Sequence, residues 1–408
     1  MTQPYIDAGE LVVIGLVQEQ HPERAQLYAQ WRELDWPILW DPFNTTGATA
    51  VPNAYLIDEH GILQGKRLNE DSLAAFMAAA FEAPAIEPIA AASADGLVRP
   101  SIRNMSEDEA YYWNAISNMN WSVTGRQPVA GGLGSGSRRN MQIPAISDAI
   151  AEALNYPEEE RRRAYEYFRL GVLYRMRHDS EHRQGGDFQA AIDAWEHALE
   201  LDPNQYIWRR RIQQYGPMSD KPYPFYDWVA TAQREITERG EVPVAIPQAL
   251  TQAELGTEGS ALVPEGEPVN PDPDGRITAD DTGIITVTAA STPDTQTPGS
   301  RRVLVEFATS NAGHWNNEAE PLTVWINADD LPDGWSVESP LLIHAPGHAV
   351  EQASSDEPRI IDFGLTHPAD AAGAFTLTGY ALYNVCEADD LGRCLYRRQA
   401  FEVVIELE

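Results

Sequence analysis

Hydrophobic and polar positions follow three different patterns along this chain. Between Leu11 and Gly65 an apolar run (Leu11 to Val17) precedes an amphipathic stretch and a second apolar run (Trp36 to Trp40). A turn-rich loop and two further short runs follow, the last pair meeting at Asp58, Glu59, His60 and Gly61. Short apolar runs bounded by turn residues predict strands, and a 3.6-residue period between them predicts a helix, so the order reads β-α-β-loop-β-turn-β. Asn69 to Glu82 has acidic residues at its start and an alanine-rich body, which predicts a closing helix that ends this region near Phe81.

The second pattern is helical. Residues 84–104, rich in proline, alanine and serine, read as a linker, and Glu107 to Trp121 is aromatic and compatible with a helix. The glycine-rich Gly131 to Gly136 has neither the preceding strand nor the following lysine that a phosphate cradle needs, and reads as a loop. From Glu158 the chain is firmly helical, with Ile146 to Leu154, Pro222 to Trp228 and the helix running on to Arg239 as its expected packing partners. Residues 241–275, rich in proline, acid and glycine, form an acidic linker.

The third pattern is β. From Gly275 seven short β-rich runs are separated by turn clusters, which predicts an antiparallel sandwich with an immunoglobulin-like look. In the last run Phe401, Val403, Ile405 and Leu407 share one face, and Glu402, Val404 and Glu406 the other. Trp315, Trp325 and Trp335 are read as packing the sheets rather than as a carbohydrate platform, and His344, His348 and His367 as turn residues at strand ends.

Three stretches resemble known families. The Leu11 to Gly65 segment, with Trp36-Pro37-Ile38-Leu39-Trp40-Asp41-Pro42 and then Ala50 to Leu63, resembles the later part of a thioredoxin-like fold of the redoxin (AhpC/TSA-type) kind. Val51-Pro52 matches that family's cis-proline, which implies a turn whose backbone groups bind an extended substrate chain. The family's reactive cysteine, at the start of its first helix, has no counterpart, since no cysteine precedes Cys386. Either the chain starts at an internal methionine of a longer protein, which the abruptness of the match favours, or this region only binds.

Leu170-Gly171-Tyr174 followed by Ala191, Trp195, Ala198 and Pro203 resembles one tetratricopeptide repeat, with small residues at a helix crossing and proline stopping the second helix. Gly171 to Ala191 spans twenty residues, which implies a lengthened turn. A single repeat must pack on neighbours.

The segment from Gly379 to Val403 resembles the final hairpin of the N-terminal periplasmic domain of the transmembrane thiol-disulfide interchange protein. The resemblance implies that Cys386 and Cys394, the two cysteines of the chain, are a redox pair. Read from the residues alone, a structural disulfide closing the hairpin and two reduced thiols stay open. Arg393, Arg397 and Arg398 would lower a thiol pKa, and the acidic residues of the loop would raise it.

Charge and composition narrow the functional classes. Acidic residues number 62 against 29 basic ones, a formal charge of −33, and Lys66 and Lys221 are the lysines. Such a surface argues against nucleic acid and anionic membrane as partners. The alanine-rich Leu73 to Ala94 is broken by Glu82, Pro84, Glu87 and Pro88, so no membrane span is expected, and no secretory signal is visible. Arg209, Arg210 and Arg211 are expected to pair with glutamates of the same chain. His178 and His182 are placed for a metal if helical, but the glycines beside them favour a loop, so no metal is assigned.

The combined expectation is a multidomain protein. Residues 1–83 form a thioredoxin-like α/β part without its first strand and helix. Residues 105–240 form an all-α tetratricopeptide-like part, and residues 276–408 an all-β sandwich. The function expected is that of a thiol-disulfide oxidoreductase or redoxin-related protein, truncated or catalytically incomplete, with no cofactor. Its sites would be Cys386 and Cys394 for redox exchange and Val51 and Pro52 for substrate. Its partners would be protein thiols and disulfides, or proteins bound through the helical repeat. A disulfide would place it in the periplasm or cell envelope. The competing expectation is a non-enzymatic peptide- or protein-binding scaffold with a structural disulfide.

Overall fold

The computed structural model describes residues 1–44, 46–65, 68–82, 164–179, 183–215, 228–246, 268–295, 297, 299–344, 352–388 and 392–407. They combine helices with several antiparallel sheets and fall into two compact units. The first comprises Met1–Ala48, Asn53–Leu201 and Tyr226–Gln252, and the second Thr49–Pro52, Asp202–Phe225 and Ala253–Glu408. The expected linker of residues 84–104, the aromatic stretch from Glu107, the glycine-rich loop, Ile146 to Leu154, most of Pro222 to Trp228, most of the acidic linker, His182 and His348 lie outside the described residues.

In the first unit a short helix α1 (Gln3–Asp7) precedes strand β1 (Gly15–Val17), which pairs in parallel with β2 (Ile38–Trp40). Helix α2 (Pro22–Trp31) connects the two strands, the crossover that parallel pairing requires. The apolar run from Leu11 is strand only from Gly15, and Val12, Ile14 and Leu16 are exposed. The turn-rich loop is organised by Asn44, which is fully buried at φ 53°. Its side chain accepts from Ala48 N–H (3.0 Å) and Gln18 (2.7 Å) and donates to the Ala48 carbonyl (2.9 Å). Asparagine tolerates the left-handed region because a short polar side chain can satisfy the local backbone.

The hairpin of β3 (Leu56–Ile57) and β4 (Leu63–Gly65) turns on Asp58, which accepts from the His60 and Ile62 N–H groups at 2.9 Å each. Helix α3 (Glu70–Ala78) starts at a reciprocal cap between Asn69 and Ser72, with both bonds 2.8 Å. It stops short of the expected Glu82: the backbone is extended at Ala79, and Phe81 folds back on Phe76 at 5.2 Å.

Two long helices, α4 (Ala164–His178) and α5 (Asp187–Leu201), pack antiparallel. They cross where Gly171 meets Ala191 and Trp195. A Cβ on Gly171 would overlap the indole ring and approach the Ala191 carbonyl at 2.9 Å. The indole N–H donates to the Phe168 carbonyl (3.1 Å), so the ring has a polar partner inside the crossing. The lengthened turn is closed by Arg177, whose guanidinium grips the Asp187 carboxylate at 2.6–3.1 Å. His178, expected in a loop, is the last residue of α4; it lies against Phe188 and accepts from Arg183 (3.1 Å). Among the described residues no group of three side chains could hold a metal.

In the second unit, sheet one is β5 (Ile285–Pro293), β6 (Ser300–Thr309), β12 (Arg359–Thr366) and β9 (Ser336–Val337), in that order. Sheet two is built on β13 (Gly373–Glu387), which pairs along one edge with β14 (Cys394–Leu407). Its other edge is shared by β8 (Thr323–Ile326) and β7 (Gly313–Asn316), extended by β10 (Leu341–Ile343) and β11 (Ser354–Ser355). Of the seven β-rich runs, the one from Gly334 to Ala345 holds two strands, because Ser339-Pro340 interrupts it.

Because side chains alternate, odd positions of β13 (Leu377, Ala381, Tyr383, Val385) face the first sheet with Phe401, Val403 and Ile405. They meet Val303, Val305, Phe307, Ile361, Phe363 and Leu365 in one core. Trp315 is fully buried there and Trp335 packs beside it, while Trp325 lies on the outer face. That outer face is covered by helix α6 (Tyr206–Tyr215), which groups with the sheets although the sequence placed it with the helical part. Helix α7 (Trp228–Glu238) belongs to the first unit, where Trp228 stacks on Trp31 at 6.0 Å. No helix among the described residues is long and apolar enough to cross a membrane.

Replacing Gly171 by alanine adds about 1 kcal/mol of helix propensity, yet the overlap with a buried indole is expected to win, with a net loss of about 1–2 kcal/mol in chemical unfolding. A gain in stability would mean that the helices cross less tightly. Burial opposes the Asp187 charge, but Arg177 and the Gln184 N–H hold its carboxyl below the ordinary 3.8. The clasp therefore contributes fully above that ordinary value and is lost as pH falls through the lower folded one. Asp187→Asn is expected to lower stability at neutral pH and to flatten that acid-side loss in a pH series of melting curves.

Candidate functional site

The two cysteines are the last pair of the β13–β14 ladder, Cys386 opposite Cys394, and they form a disulfide. Of the readings open from the sequence, two reduced thiols is therefore not the one observed. Both cysteines occupy the outer-face register of the ribbon, in step with Leu382, Asn384 and Tyr396. Cys386 is buried, at 7% exposure, whereas Cys394 is half-buried. Beyond them the connecting loop is gathered by Arg393, which grips Glu387 at 2.7 and 2.9 Å, and by the Glu387 N–H on the Arg393 carbonyl (3.1 Å).

On its free edge Cys394 is paired as well. Its N–H donates to the Val51 carbonyl (2.8 Å), and the two residues form an isolated antiparallel bridge. The Val51–Pro52 peptide bond is cis. Proline has no N–H to extend such a pairing, so the added strand is a single residue long. Because the Cys394 N–H points outward to Val51, the cysteine pair is one of the ladder's non-hydrogen-bonded pairs, in which side chains stand closest.

The other flank of Cys386 is β7. Cys386 stands opposite His314, and Glu387 opposite Gly313. A Cβ at Gly313 would overlap the Cys386 carbonyl oxygen and reach Ile284 at 2.9 Å, so a glycine is what lets β7 close on β13 here. Cross-strand partners share a face, so His314, Cys386, Cys394 and Val51 form one row across four strands. Val51 and the cysteines were singled out from the sequence; His314 was not. Strand β7 is four residues long, Gly-His-Trp-Asn, too short and too polar for a periodicity signal.

The next row inward carries Asn384 and Tyr396, and α6 covers it through polar contacts centred on Glu320. That carboxylate accepts from Arg209 (3.2 Å), from Asn384 (3.0 Å) and from Gln213. The Arg209 guanidinium lies over the Tyr396 ring at 3.7 Å, and Asn316 donates to the Tyr206 hydroxyl (2.7 Å). Burial pushes the Tyr206 and Tyr396 phenols up, so both stay neutral donors and acceptors. The expected pairing of the arginine run with glutamates holds for Arg209 with Glu320 and Arg210 with Glu318 (3.9 Å). The Arg209 pair is largely buried rather than a surface pair, which raises the cost of breaking it.

Chemically this is a disulfide with one sheltered and one more accessible cysteine, flanked by an imidazole and by a single added β-bridge. Replacing Glu320 with alanine leaves Arg209 without its carboxylate and Asn384 without an acceptor. A loss of about 3–5 kcal/mol is expected in thermal or chemical unfolding. A change near zero would show that α6 is held by its apolar contacts alone. Scanned against protein-family models the chain matches none, and no curated protein matches it significantly.

Proposed function

We propose that this chain takes part in thiol-disulfide exchange, with Cys386–Cys394 as the exchanging bond. The observation that carries the reading is the bridge between Cys394 and Val51, the residue before a cis-proline. In the thioredoxin-like family that the N-terminal segment resembles, this turn supplies backbone groups to an extended substrate chain. Here the edge of a cysteine-bearing strand occupies it. The chain would then comprise a thioredoxin-like N-terminal part, a tetratricopeptide-like helical part supported by the Gly171–Trp195 crossing, and an immunoglobulin-like sandwich similar to the interchange protein's domain.

A thiolate of a partner protein dithiol attacks Sγ of Cys394, the less buried of the two residues, and the Cys386–Cys394 bond breaks with Cys386 leaving as thiolate. The partner's second thiolate then attacks the mixed disulfide and releases Cys394. Two electrons pass from the partner dithiol to this pair; an oxidised partner reverses the flow. The attacking thiol comes from outside these 408 residues, which hold no further cysteine. Such an exchange belongs in an oxidising compartment such as the periplasm or cell envelope.

The second reading is a binding scaffold with a structural disulfide, favoured by the 7% exposure of Cys386. The reduction potential of the pair, measured in glutathione or dithiothreitol redox buffers, decides between them. A value of about −200 mV is expected for an exchanging bond, and one below about −300 mV would identify a structural one.

A further inference from the structure

We propose that His314 stabilises the thiolate of Cys386 once the disulfide opens; the inference rests on the exchange reading above. The register sets His314 directly opposite Cys386, on the same face of sheet two, and on the side away from Cys394. Cross-strand partners hold their Cβ atoms about 4.5–5.5 Å apart, close enough for an imidazolium to lower the pKa of a neighbouring thiol. Cys386 needs such a neighbour more than Cys394 does. It is the more buried residue of the two, and desolvation disfavours a thiolate.

Among the described residues, the other charges near this row come in pairs or lie outside it. Glu387 and Arg393 hold each other at the hairpin end (2.7 Å), and Arg209 and Glu320 hold each other under α6 (3.2 Å). Glu318, further along from β7, pairs with Arg210, and Asp356, which follows β11, is exposed. On β7 itself His314 is the one titratable side chain.

This assigns a direction to the chemistry. When a partner thiolate attacks Cys394 Sγ, the electron pair of the broken bond goes to Cys386 Sγ, and a protonated His314 stabilises that charge or passes it its proton. A leaving sulfur with a lower pKa leaves faster. Cys386 is thus the leaving and storing thiol, and Cys394 the one that forms the mixed disulfide.

The test uses the full chain. In a Cys394→Ser background, Cys386 is the only thiol, and its ultraviolet thiolate absorbance is followed against pH with His314 present and with His314→Gln. The His314 chain is expected to carry about tenfold more thiolate at neutral pH, one pKa unit. Identical titrations in the two chains overturn the inference. The unaltered chain provides a control that needs no substitution at His314: its imidazole proton resonances are followed against pH before and after reduction. Titration of His314 at higher pH in the reduced chain is expected, and no change on reduction overturns the inference. A structural-range reduction potential would remove the exchange reading by itself, without bearing on this coupling.

Discussion

The second unit depends on one constraint, the register of the β13–β14 ribbon. Fourteen successive cross-strand pairs run from Gly373–Leu407 to Cys386–Cys394. With a side-chain period of two, that register sends Tyr383, Val385 and Val403 into the shared core and Tyr380, Asn384 and Cys386 to the outer face. A slip by one residue would exchange the two sets, burying Asn384 and both cysteines among Phe307 and Phe363 and exposing the core. The penalty on every row is what holds the disulfide at the ribbon's end and on its outer side.

Where α6 meets the outer face, arginine–carboxylate contacts stand beside the cluster of Tyr206, Tyr380, Leu382 and Tyr396. Arg209 satisfies Glu320 with one nitrogen while its plane covers Tyr396, a combination that a lysine ammonium cannot reproduce. The first unit repeats this chemistry. Arg175 grips Asp179 at 2.9–3.1 Å beside the buried His21, and Arg24, 1% exposed, meets Glu19 at 3.3 Å. These arginines are placed where a planar, multi-donor group can neutralise a carboxylate and fill space at once.

Around the disulfide the two sulfurs are in different surroundings. Cys394, on the edge strand, bonds through its N–H to the Val51 carbonyl and packs against the cluster of Tyr206, Tyr380, Leu382 and Tyr396. Cys386 lies inside, between Cys394 and His314. In an exchange reaction, attack and departure would then occur at different, differently solvated sulfurs, a difference that arises from their positions across the sheet and not from the residues beside them in sequence.

Local periodicity was enough to read most of the elements. The alternation of Phe401, Val403 and Ile405 with Glu402, Val404 and Glu406 announced a strand with one buried face, and the spacing of Gly171, Ala191 and Trp195 announced a helix crossing. Both are patterns within a few turns or pairs of residues, where burial acts directly on neighbouring positions. The end of α3 at Ala78, the division of the run at Pro340, strand β7 and the place of α6 on the sheets were not legible. The first two are set locally, by the extended backbone at Ala79 and by Ser339-Pro340, whereas β7 and the place of α6 are decided by contacts between residues distant in the chain, Cys386 with His314 and Glu320 with Arg209. The sequence by itself determined which residues could form strands, helices and a cysteine pair. The tertiary structure alone decided which imidazole and which carbonyl flank that pair, because register between distant strands is set by the whole buried face and not by any local pattern.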